Sequence, residues 1–342
     1  MEFMKLEGWP FQGSDLERMK DFLRQNGLDY DPGIEYSVCL LDEDYRILAA
    51  GSAEQNVLKC IAVNPKARGL GLSGTILSCL IQYEFDNGRA HVLMYTKPEN
   101  RELFEDLGFY TVLMTEEILF MENRKNGFED FLKRLIRETP AGVLVPGRVI
   151  GSAVVNCNPF TYGHRYLMEQ ALLHCHYVHV LVLTDSRSSF GAEERFGMVR
   201  EGTKDLPRVI VHKASDFVIS AATFPTYFMK EKAGAKKANC RLDLELFGRR
   251  TAPALGITRR FVGTEPACAV TAHYNEEMKK ILPQYGILVK EIERRKHEGE
   301  AISASDVRKW FERGDFERMK GLVPGTTLEY LANKKKGQRP KG

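Results

Sequence analysis

A strand that gives way to a helix across a short polar corner restricts the fold of this chain more than any other feature of its sequence. The run RVIGSAVVNCN, residues 148–158, is apolar and rich in β-branched side chains, as buried strands are. Pro159 interrupts it, and a helical pattern with an apolar face begins near Gly163. A glycine there lets the backbone approach an anion, and a helix N-terminus favours negative charge. The corner therefore predicts a phosphate site.

The segments that follow predict the sheet to which this corner belongs. The strand VHVLVLTD ends at Asp185, a helix covers residues 188–206, and PRVIVHKA, residues 207–214, is a third strand. Strands and helices that alternate in this way indicate a doubly wound parallel sheet, whose ligands lie at the carboxyl ends of the strands. We expect residues 158–164 and Asp185 to lie at that edge.

Two stretches carry the candidate chemistry, and each resembles a signature of the nucleotidyltransferase superfamily. The corner, residues 158–164, reads NPFTYGH and resembles its Thr-x-Gly-His element; residues 302–308, ISASDVR, resemble its later Ile-Ser-Ser/Thr-x-x-x-Arg element. A capped helix with a core histidine, and a serine cap with a surface arginine, are the structural alternatives. The resemblance implies catalytic roles for Thr161, His164 and Arg308, the last pointing at the β- and γ-phosphates. It also implies an ATP site formed by Asn158, Pro159, Phe160, Gly163, Ser303, Ser305 and Glu265.

The first half of the chain contains a second glycine-rich loop before a helix. A hairpin at residues 36–49 and a strand at 56–64 precede the loop PKARGLGLSG, and a strand, a short helix ending at Gly108 and a further strand follow. Backbone N–H groups of such a loop can bind an anion at the helix N-terminus. The candidate residues for a CoA-like pyrophosphate are Arg68, Gly69, Gly71, Ser73 and Gly74.

This order of elements resembles the GNAT acetyltransferase fold. Residues 68–73, RGLGLS, match the family's pyrophosphate loop with serine in the last place, and Asn100 with residues 104–109, FEDLGF, matches its later signature. Phe104 stands where many members have the tyrosine that protonates the departing CoA thiolate, and a phenyl ring has no proton to give. Acetyl transfer, binding of a CoA-like group and a purely structural scaffold therefore all stay open.

A connecting segment separates the two halves. Residues 122–147 begin with charged side chains, continue through an amphipathic helix at 128–136, and end with two prolines and two glycines. We predict an α/β protein with a GNAT-like mixed α/β domain at 1–125, a helical linker at 126–146, and a doubly wound, Rossmann-like nucleotidyltransferase domain at 147–342.

Composition excludes several classes of protein. The chain has no apolar run of about 18 residues and no signal-peptide pattern at its start, which argues against a membrane span and secretion. Its seven cysteines are scattered, as is typical of reduced cytoplasmic proteins, and the net charge of +3 with a basic tail is weak evidence for nucleic acid. Cys268 has only His273 nearby, so we do not predict a catalytic thiol.

Nearly the whole chain resembles the citrate lyase ligase family. The stretches that carry this resemblance are NCNPFTYGHRYLMEQA, ISAATFPTYF, APALGITRRFVGTEP and ISASDVR. It implies a cytoplasmic acid–thiol ligase that uses ATP, with Mg²⁺, and acetate. The acceptor would be the thiol of the phosphoribosyl-dephospho-CoA prosthetic group on the acyl carrier subunit of citrate lyase. The products would be AMP and pyrophosphate, formed through an acetyl-adenylate.

Three other functions remain open from the sequence. A phosphopantetheine-type adenylyltransferase would share the second fold. A GNAT acetyltransferase with a nucleotide-sensing second domain is disfavoured by Phe104. A protein that only binds is disfavoured by the two intact nucleotidyltransferase elements. Residues 215–230 and Glu265, the latter a candidate ribose or metal-water contact, point to the second substrate, although both also fit ordinary loops.

Overall fold

The structure is a computed structural model that describes residues 3–31, 33–184, 188–220, 222–223, 240–265 and 268–337. The chain divides into two compact units, Met1–Phe128 and Glu129–Gly342. The boundary between them along the chain falls within the helix Gly127–Glu138. The domain limits at residues 125 and 147 stay a prediction.

The described part of the first unit is built on one seven-stranded mixed sheet. Its order is β1-β2-β3-β4-β5-β7-β6, and every pairing is antiparallel except β4 with β5. These two strands pair only through Val57 with Leu93 and Leu58 with Met94, so they separate towards the end of β4. The loop that follows β4 begins there. The strands are β1 Met4–Gly8, β2 Tyr36–Leu41, β3 Ile47–Glu54, β4 Val57–Val63, β5 Leu93–Thr96, β6 Tyr110–Met114 and β7 Leu119–Glu122.

Two helices cover the two faces of this sheet. Alternating side chains of β2 point to opposite faces, as the pleat requires. Val38 and Leu40 join the core formed with α2, whereas Cys39 and Leu41 join the core formed with α1. The helices of this unit are α1 Gly13–Gln25, α2 Leu72–Asp86 and α3 Arg101–Asp106.

The second unit contains a five-stranded sheet whose strands are all parallel. Its order is β10-β9-β8-β11-β12, so successive strands run outward in one direction from β8 and then in the other. The crevice between the carboxyl ends of β8 and β11 is the topological switch point, where such sheets bind ligands. The predicted fold class, a mixed α/β domain followed by a doubly wound parallel-sheet domain, is confirmed. The strands are β8 Ile150–Val155, β9 Tyr177–Val182, β10 Val209–Lys213, β11 Ile257–Gly263 and β12 Leu288–Ile292, with a small hairpin of β13 Lys296–His297 and β14 Glu300–Ala301.

One face of this sheet carries a hydrophobic core of the second unit. Valines of β8 and β9 and Phe261 of β11 pack there against α5, α6 and the C-terminal helices. Burial of this apolar area is the main favourable term that holds these helices on the sheet. The helices are α4 Gly127–Glu138, α5 Tyr162–Leu172, α6 Ala192–Gly202, α7 Arg241–Leu246, α8 Ala252–Ala254, α9 Ala269–Ile281, α10 Ala304–Arg313, α11 Phe316–Met319 and α12 Gly325–Gly337.

The sheet also buries a pair of histidines that lies outside this core. His179 Nδ1 and His212 Nε2 are 2.9 Å apart, and His212 Nδ1 lies 2.7 Å from a carboxylate oxygen of Glu138. Glu138 is also paired with Arg134 on the same helix. Both imidazoles are fully buried. This chain of hydrogen bonds ties α4 to the sheet.

Acid is expected to destabilise the second unit through this pair. Burial lowers the pKa of His179 to about 3 and also lowers the pKa of His212, so both rings are neutral near pH 7 in the folded chain. An unfolded histidine has a pKa near 6.5, so below that pH the unfolded chain binds more protons than the folded chain. The stabilisation is therefore complete above about pH 6.5 and is lost progressively as the pH falls below it.

A urea titration at several pH values between about 7.5 and 5 measures this loss. The chain has two tryptophans, Trp9 and Trp310. Trp9→Phe leaves Trp310 as the fluorescent reporter of the second unit. In that background, the further double change His179→Gln with His212→Gln should give a shallower fall of stability with pH. Equal slopes in the two proteins would contradict the role given to the pair.

Candidate functional site

The corner after β8 is anchored by hydrogen bonds at its first residues. The Asn158 side-chain oxygen accepts from the N–H of Phe190 at 3.0 Å, and Ser188 Oγ lies 3.2 Å from the side-chain oxygen of Asn156. Asn158 itself is almost completely buried. The loops that follow β8 and β9 are therefore held together at the carboxyl edge of the sheet, where the sequence predicts the site.

Thr161 and His164 close the corner by capping α5 reciprocally. Thr161 is the N-cap, and its Oγ1 accepts from the N–H of His164 at 3.4 Å. In return, His164 Nδ1 accepts from the N–H of Thr161 at 3.1 Å and lies 2.9 Å from Thr161 Oγ1. Such a capping box usually has Glu or Gln at the third helical position. Here the histidine fills that role, which fixes its ring.

This network assigns the tautomer of His164. Its Nδ1 faces the N–H and the hydroxyl of Thr161, so the ring proton belongs on Nε2. Burial, with a smaller effect from the charge of Arg294, lowers the pKa of His164 to about 4. The ring is therefore a neutral donor through Nε2–H near pH 7. The Thr161 hydroxyl lies 2.9 Å from His164 Nδ1, so Thr161 orients His164. Its predicted donation to phosphate stays a prediction.

The first turn of α5 keeps an N–H group for a ligand. The N–H of Tyr162 donates to the carbonyl of Leu322 at 2.9 Å, whereas within the described residues the N–H of Gly163 has no acceptor. A Cβ added to Gly163 would lie 3.5 Å from Thr161 Oγ1 and 3.6 Å from Ile302, which is ordinary contact. Packing inside this chain therefore does not require glycine there, whereas the close approach of an anion would.

The late helix α10 meets the corner through an arginine. Ser303 is its N-cap and accepts from the N–H of Ser305 at 3.2 Å. Arg308, one turn into the helix, donates through Nη1 to the carbonyl of Asn158 at 2.5 Å and through Nη2 to Ser305 Oγ at 2.9 Å. The two stretches that the sequence singled out are thus in direct contact, although 150 positions separate Arg308 from Asn158.

Two of the predicted ATP contacts lie in the protein interior. Pro159 is buried, and the Phe160 side chain is fully buried in the core shared with α5 and α6, where its ring lies near the ring of His164. A Cβ added to Gly202 would come within 2.5 Å of the Phe160 ring. The Phe160 ring therefore faces the core, and the predicted contact of residue 160 with ATP stays a prediction. The Phe160 ring packs in this core next to the His164 ring and stabilises the corner.

A buried arginine that the sequence analysis missed holds the same loops. Arg195 of α6 is fully buried, and its Nη1 donates to the carbonyls of Asn156 and Leu183 at 3.1 Å and 2.7 Å. The same group donates to the Asn156 side-chain oxygen at 2.5 Å, and Nε donates to the carbonyl of Phe190 at 3.0 Å. Arginine near the start of an amphipathic helix is usually solvated, so no local pattern marked it.

Glu265, beyond the end of β11, already has partners in the protein. Its carboxylate accepts from the N–H of Cys268 at 3.2 Å and from Arg294 Nη2. Arg294 and Arg295 follow β12, and the Arg295 guanidinium lies 4.9 Å from the centre of the Tyr162 ring. Arg295 thus borders the corner, and Arg294 is its neighbour in the sequence. No local pattern marked these two residues, because a charged run after a strand is typical of a solvated loop.

The stretch predicted to serve the second substrate is described only in part. Asp185, residue 221 and residues 224–230 lie outside the described residues. Within the rest, the Asp243 carboxylate accepts from the N–H of Ile219 at 2.6 Å, from Thr223 Oγ1 at 2.9 Å and from the Tyr274 hydroxyl at 2.6 Å. These buried bonds hold residues 219–223 to α7 and α9.

The glycine-rich loop of the first unit, the predicted pyrophosphate loop, has open space around two of its glycines. Gly69 and Gly71 have φ of +83° and +71°, and a Cβ added to either would contact nothing within 4 Å. Gly71 precedes α2, and Ser73 lies in its first turn. The N–H of Gly74 donates to the carbonyl of Gly71 at 3.1 Å, and the place of Gly74 in a pyrophosphate loop stays a prediction. Arg68 at the start of this loop is exposed.

Phe104 is a core residue of the first unit. Its side chain is buried and lies edge-on to Phe109, with ring centroids 6.5 Å apart. A phenyl ring in this position has no proton to give a departing thiolate. The side chain therefore stabilises the domain and does not act as a general acid.

Fold and site together define a two-unit α/β protein with a Rossmann-like second unit. In that unit a histidine of a helix cap lies at the topological switch point of the sheet. The family described as "Citrate lyase ligase C-terminal domain" matches this chain over residues 150–331. This chain belongs to the citrate lyase ligase family. Relatives named citrate (pro-3S)-lyase ligase are 37% identical in Escherichia coli K12, over 94% of this chain and 92% of that protein. They are 37% identical in Klebsiella pneumoniae, over 92% of each, and 36% in Haemophilus influenzae, over 96% of this chain and 98% of that protein.

Solved structures are similar to a smaller part of the chain. Escherichia coli ElaA is 12% identical with a TM-score of 0.31, and it covers 36% of this chain and 99% of its own. An acetyltransferase of the GNAT family from Staphylococcus aureus Mu50 is 10% identical with a TM-score of 0.31, and it also covers 36% of this chain and 99% of its own. Among the described residues, no helix has the length and apolar character needed to cross a membrane.

Proposed function

We propose that this protein is an ATP-dependent acid–thiol ligase that acetylates the prosthetic-group thiol of the citrate lyase acyl carrier subunit. The thiol belongs to a phosphoribosyl-dephospho-CoA group, the acyl donor is acetate, and the products are AMP and pyrophosphate. The contact between Arg308 and the Asn158 carbonyl carries the proposal, because it joins the two predicted nucleotide elements in one site. The names of relatives that match over more than nine-tenths of the chain support the same reaction.

The chemistry of the corner suits a triphosphate. An acetate oxygen forms a bond to the α-phosphorus, and the bond to the pyrophosphate oxygen breaks, so negative charge builds on the leaving group. His164 offers Nε2–H, the first turn of α5 offers the Gly163 N–H, and Arg308 offers a guanidinium. Donors fixed before the reaction stabilise such charge without reorganisation. The thiolate then attacks the acetyl carbonyl of the adenylate, and AMP leaves.

Mg²⁺ enters this scheme as part of the ATP substrate. Phosphate oxygens and water usually hold that ion at ATP sites, with few protein ligands. The donor set at the corner is an imidazole, backbone N–H groups and guanidinium groups, which suits phosphate better than a bare cation. The carboxylate of Glu265 is engaged by Arg294. The ion itself would neutralise phosphate charge.

Exchange of labelled pyrophosphate into ATP by the whole protein tests the proposal. Acetate should be required, because pyrophosphate can return to ATP only from an acetyl-adenylate. Exchange that depends on phosphopantetheine and not on acetate would indicate an adenylyltransferase. Acetyl transfer from acetyl-CoA without ATP would indicate an active GNAT domain. Either result would overturn the assignment.

The cytoplasm is the proposed location. All seven cysteines are free, as is usual in reducing compartments. Citrate lyase with its attached prosthetic group is the proposed partner.

We further propose that the first unit binds the pyrophosphate of the prosthetic arm at residues 68–74. Gly71→Asp places a carboxylate at this helix start, where it should repel that pyrophosphate. Aspartate tolerates positive φ better than most residues, so the fold should survive. The expected result is a KM for the carrier substrate raised about tenfold, a 1.4 kcal/mol effect. Acetate-dependent pyrophosphate exchange should be unchanged.

Gly88→Asp is the matched control for that variant. Gly88 lies just beyond the other end of α2, has φ of +75°, and also has open space around an added Cβ. It should leave the KM for the carrier substrate unchanged. Equal losses in the two variants would indicate a folding defect, and no loss with Gly71→Asp would leave the unit as a scaffold.

A further inference from the structure

Arg294 is placed across the end of a neighbouring strand. It lies two residues beyond β12, and its Nε donates to the carbonyl of Thr264 at 2.7 Å. Its Nη2 donates to the carboxylate of Glu265. The N–H of Thr264 in turn donates to the carbonyl of Ile292 at 2.9 Å. The side chain therefore turns back from the edge strand and lies over the carboxyl end of β11.

This position is the β11 side of the switch point. In the sheet, β11 lies beside β8, and the corner of residues 158–164 follows β8 in the chain. The charge of Arg294 is felt at the ring of His164, where it contributes to the lowered pKa of that histidine. Within the described residues, Nη1 of Arg294 donates to no acceptor, and about a third of the side chain is exposed. Two of its nitrogens are thus held by the protein, and the third is available to a ligand.

We propose that Arg294 is a further catalytic residue, whose Nη1 donates to an anionic oxygen of the reacting pair. That oxygen belongs either to the α-phosphate or to the acetate carboxylate that attacks it. This inference rests on the proposed acetate activation. Glu265 is then a positioning residue: it accepts from Nη2 and leaves Nη1 for the reacting oxygen. The step needs no proton from either group, because acetate attacks as its anion and the electron pair leaves with pyrophosphate.

The test compares Arg294→Gln and Arg294→Lys with Arg259→Gln in acetate-dependent pyrophosphate exchange. Arg259 is the matched control, because it lies on β11 and donates to the carbonyl of His174, away from the site. Loss of a charged hydrogen bond predicts kcat/KM about 10–100-fold lower in Arg294→Gln. Arg294→Lys, which keeps the charge without the planar fork, should recover part of it. Arg259→Gln should match the wild type.

The separate KM values identify the oxygen. A raised KM for acetate with that for ATP unchanged indicates the carboxylate, and the reverse indicates the phosphate; a fall in kcat alone indicates contact in the transition state. Each supports the proposal. Normal kcat and KM values in Arg294→Gln would overturn it. For any loss, Trp310 fluorescence in the Trp9→Phe background checks that the second unit is folded.

A binding measurement separates this inference from the proposed function. If the wild type shows no acetate-dependent exchange, the proposed function fails, and calorimetric titration with ATP and with acetate still tests Arg294. Weaker binding of either by Arg294→Gln would support an anion-binding role. Unchanged binding of both would overturn that role. Glu265→Gln should lower kcat/KM less than Arg294→Gln, since it loosens the guanidinium without removing it.

Discussion

His164→Ala is expected to lower the turnover of acetate-dependent pyrophosphate exchange by about 10²–10³-fold, the usual cost of one fixed donor to developing charge. The Nε2–H should interact more strongly as pyrophosphate leaves than it does with bound ATP, so kcat should fall more than ATP affinity. Arg308→Ala should have a similar effect. Because the pKa of His164 is lowered to about 4, its titration should not appear in the pH profile between about pH 5.5 and 8.

Matched variants separate the chemistry of His164 from its role in the helix cap. His164→Asn keeps an oxygen near Nδ1 that can accept from Thr161, but it lacks the Nε2–H, so it should be as slow as His164→Ala. His164→Gln places an amide nearer Nε2 and should recover part of the rate. For Arg308, the control is Lys309→Ala, an exposed neighbour paired with Asp306 on the same helix. Normal turnover with a raised KM for ATP would make His164 and Arg308 binding residues only.

Phe160→Ala is expected to destabilise the second unit by about 3–5 kcal/mol, the usual cost of deleting a buried phenyl ring. The ring is fully buried, and the close contact it makes with Gly202 shows how tightly its site is packed. The cavity would lie directly beneath the Thr161–His164 cap. Urea titration of the Trp9→Phe background, followed through Trp310, measures the change in the second unit.

Leu173→Ala is the control for that stability measurement. Leu173 lies at the end of α5 and is 71% exposed, so its truncation should change stability by less than about 0.5 kcal/mol. A loss below about 1 kcal/mol in Phe160→Ala would contradict the assignment of this ring to the core.

Some features of the corner could be predicted from the local sequence pattern, whereas others depend on tertiary contacts. The change from strand to helix between Val155 and Tyr162 could be predicted, because apolar run length, proline and amphipathic spacing act within a few residues. The cap could be predicted only as an N-cap, because a histidine at the third position is not the usual capping-box residue. Its tautomer depends on the 3.1 Å contact with the Thr161 N–H, which no sequence pattern states.

The direction of the Phe160 side chain could not be predicted from the sequence. Its place beside Thr161 made it a natural ligand contact in the sequence, but the turn directs its ring into the core against Gly202. Adjacent residues of a loop need not face the same side, since no fixed periodicity governs their directions there. Sequence proximity to a site is therefore weak evidence for contact with a ligand.

The sequence by itself determined the α/β class, the strand-to-helix corner, the serine cap of α10 and the glycine-rich loop of the first unit. Each depends on side-chain periodicity or on backbone preferences of neighbouring residues. Only the tertiary structure decided that Arg308 reaches Asn158, that Arg195 is buried against two loop ends, and that Arg294 lies over the end of β11. Arginines carry long, flexible side chains, and their partners here are mostly backbone carbonyls distant in sequence. Such contacts form only when the parallel strands bring their carboxyl ends to one edge of the sheet.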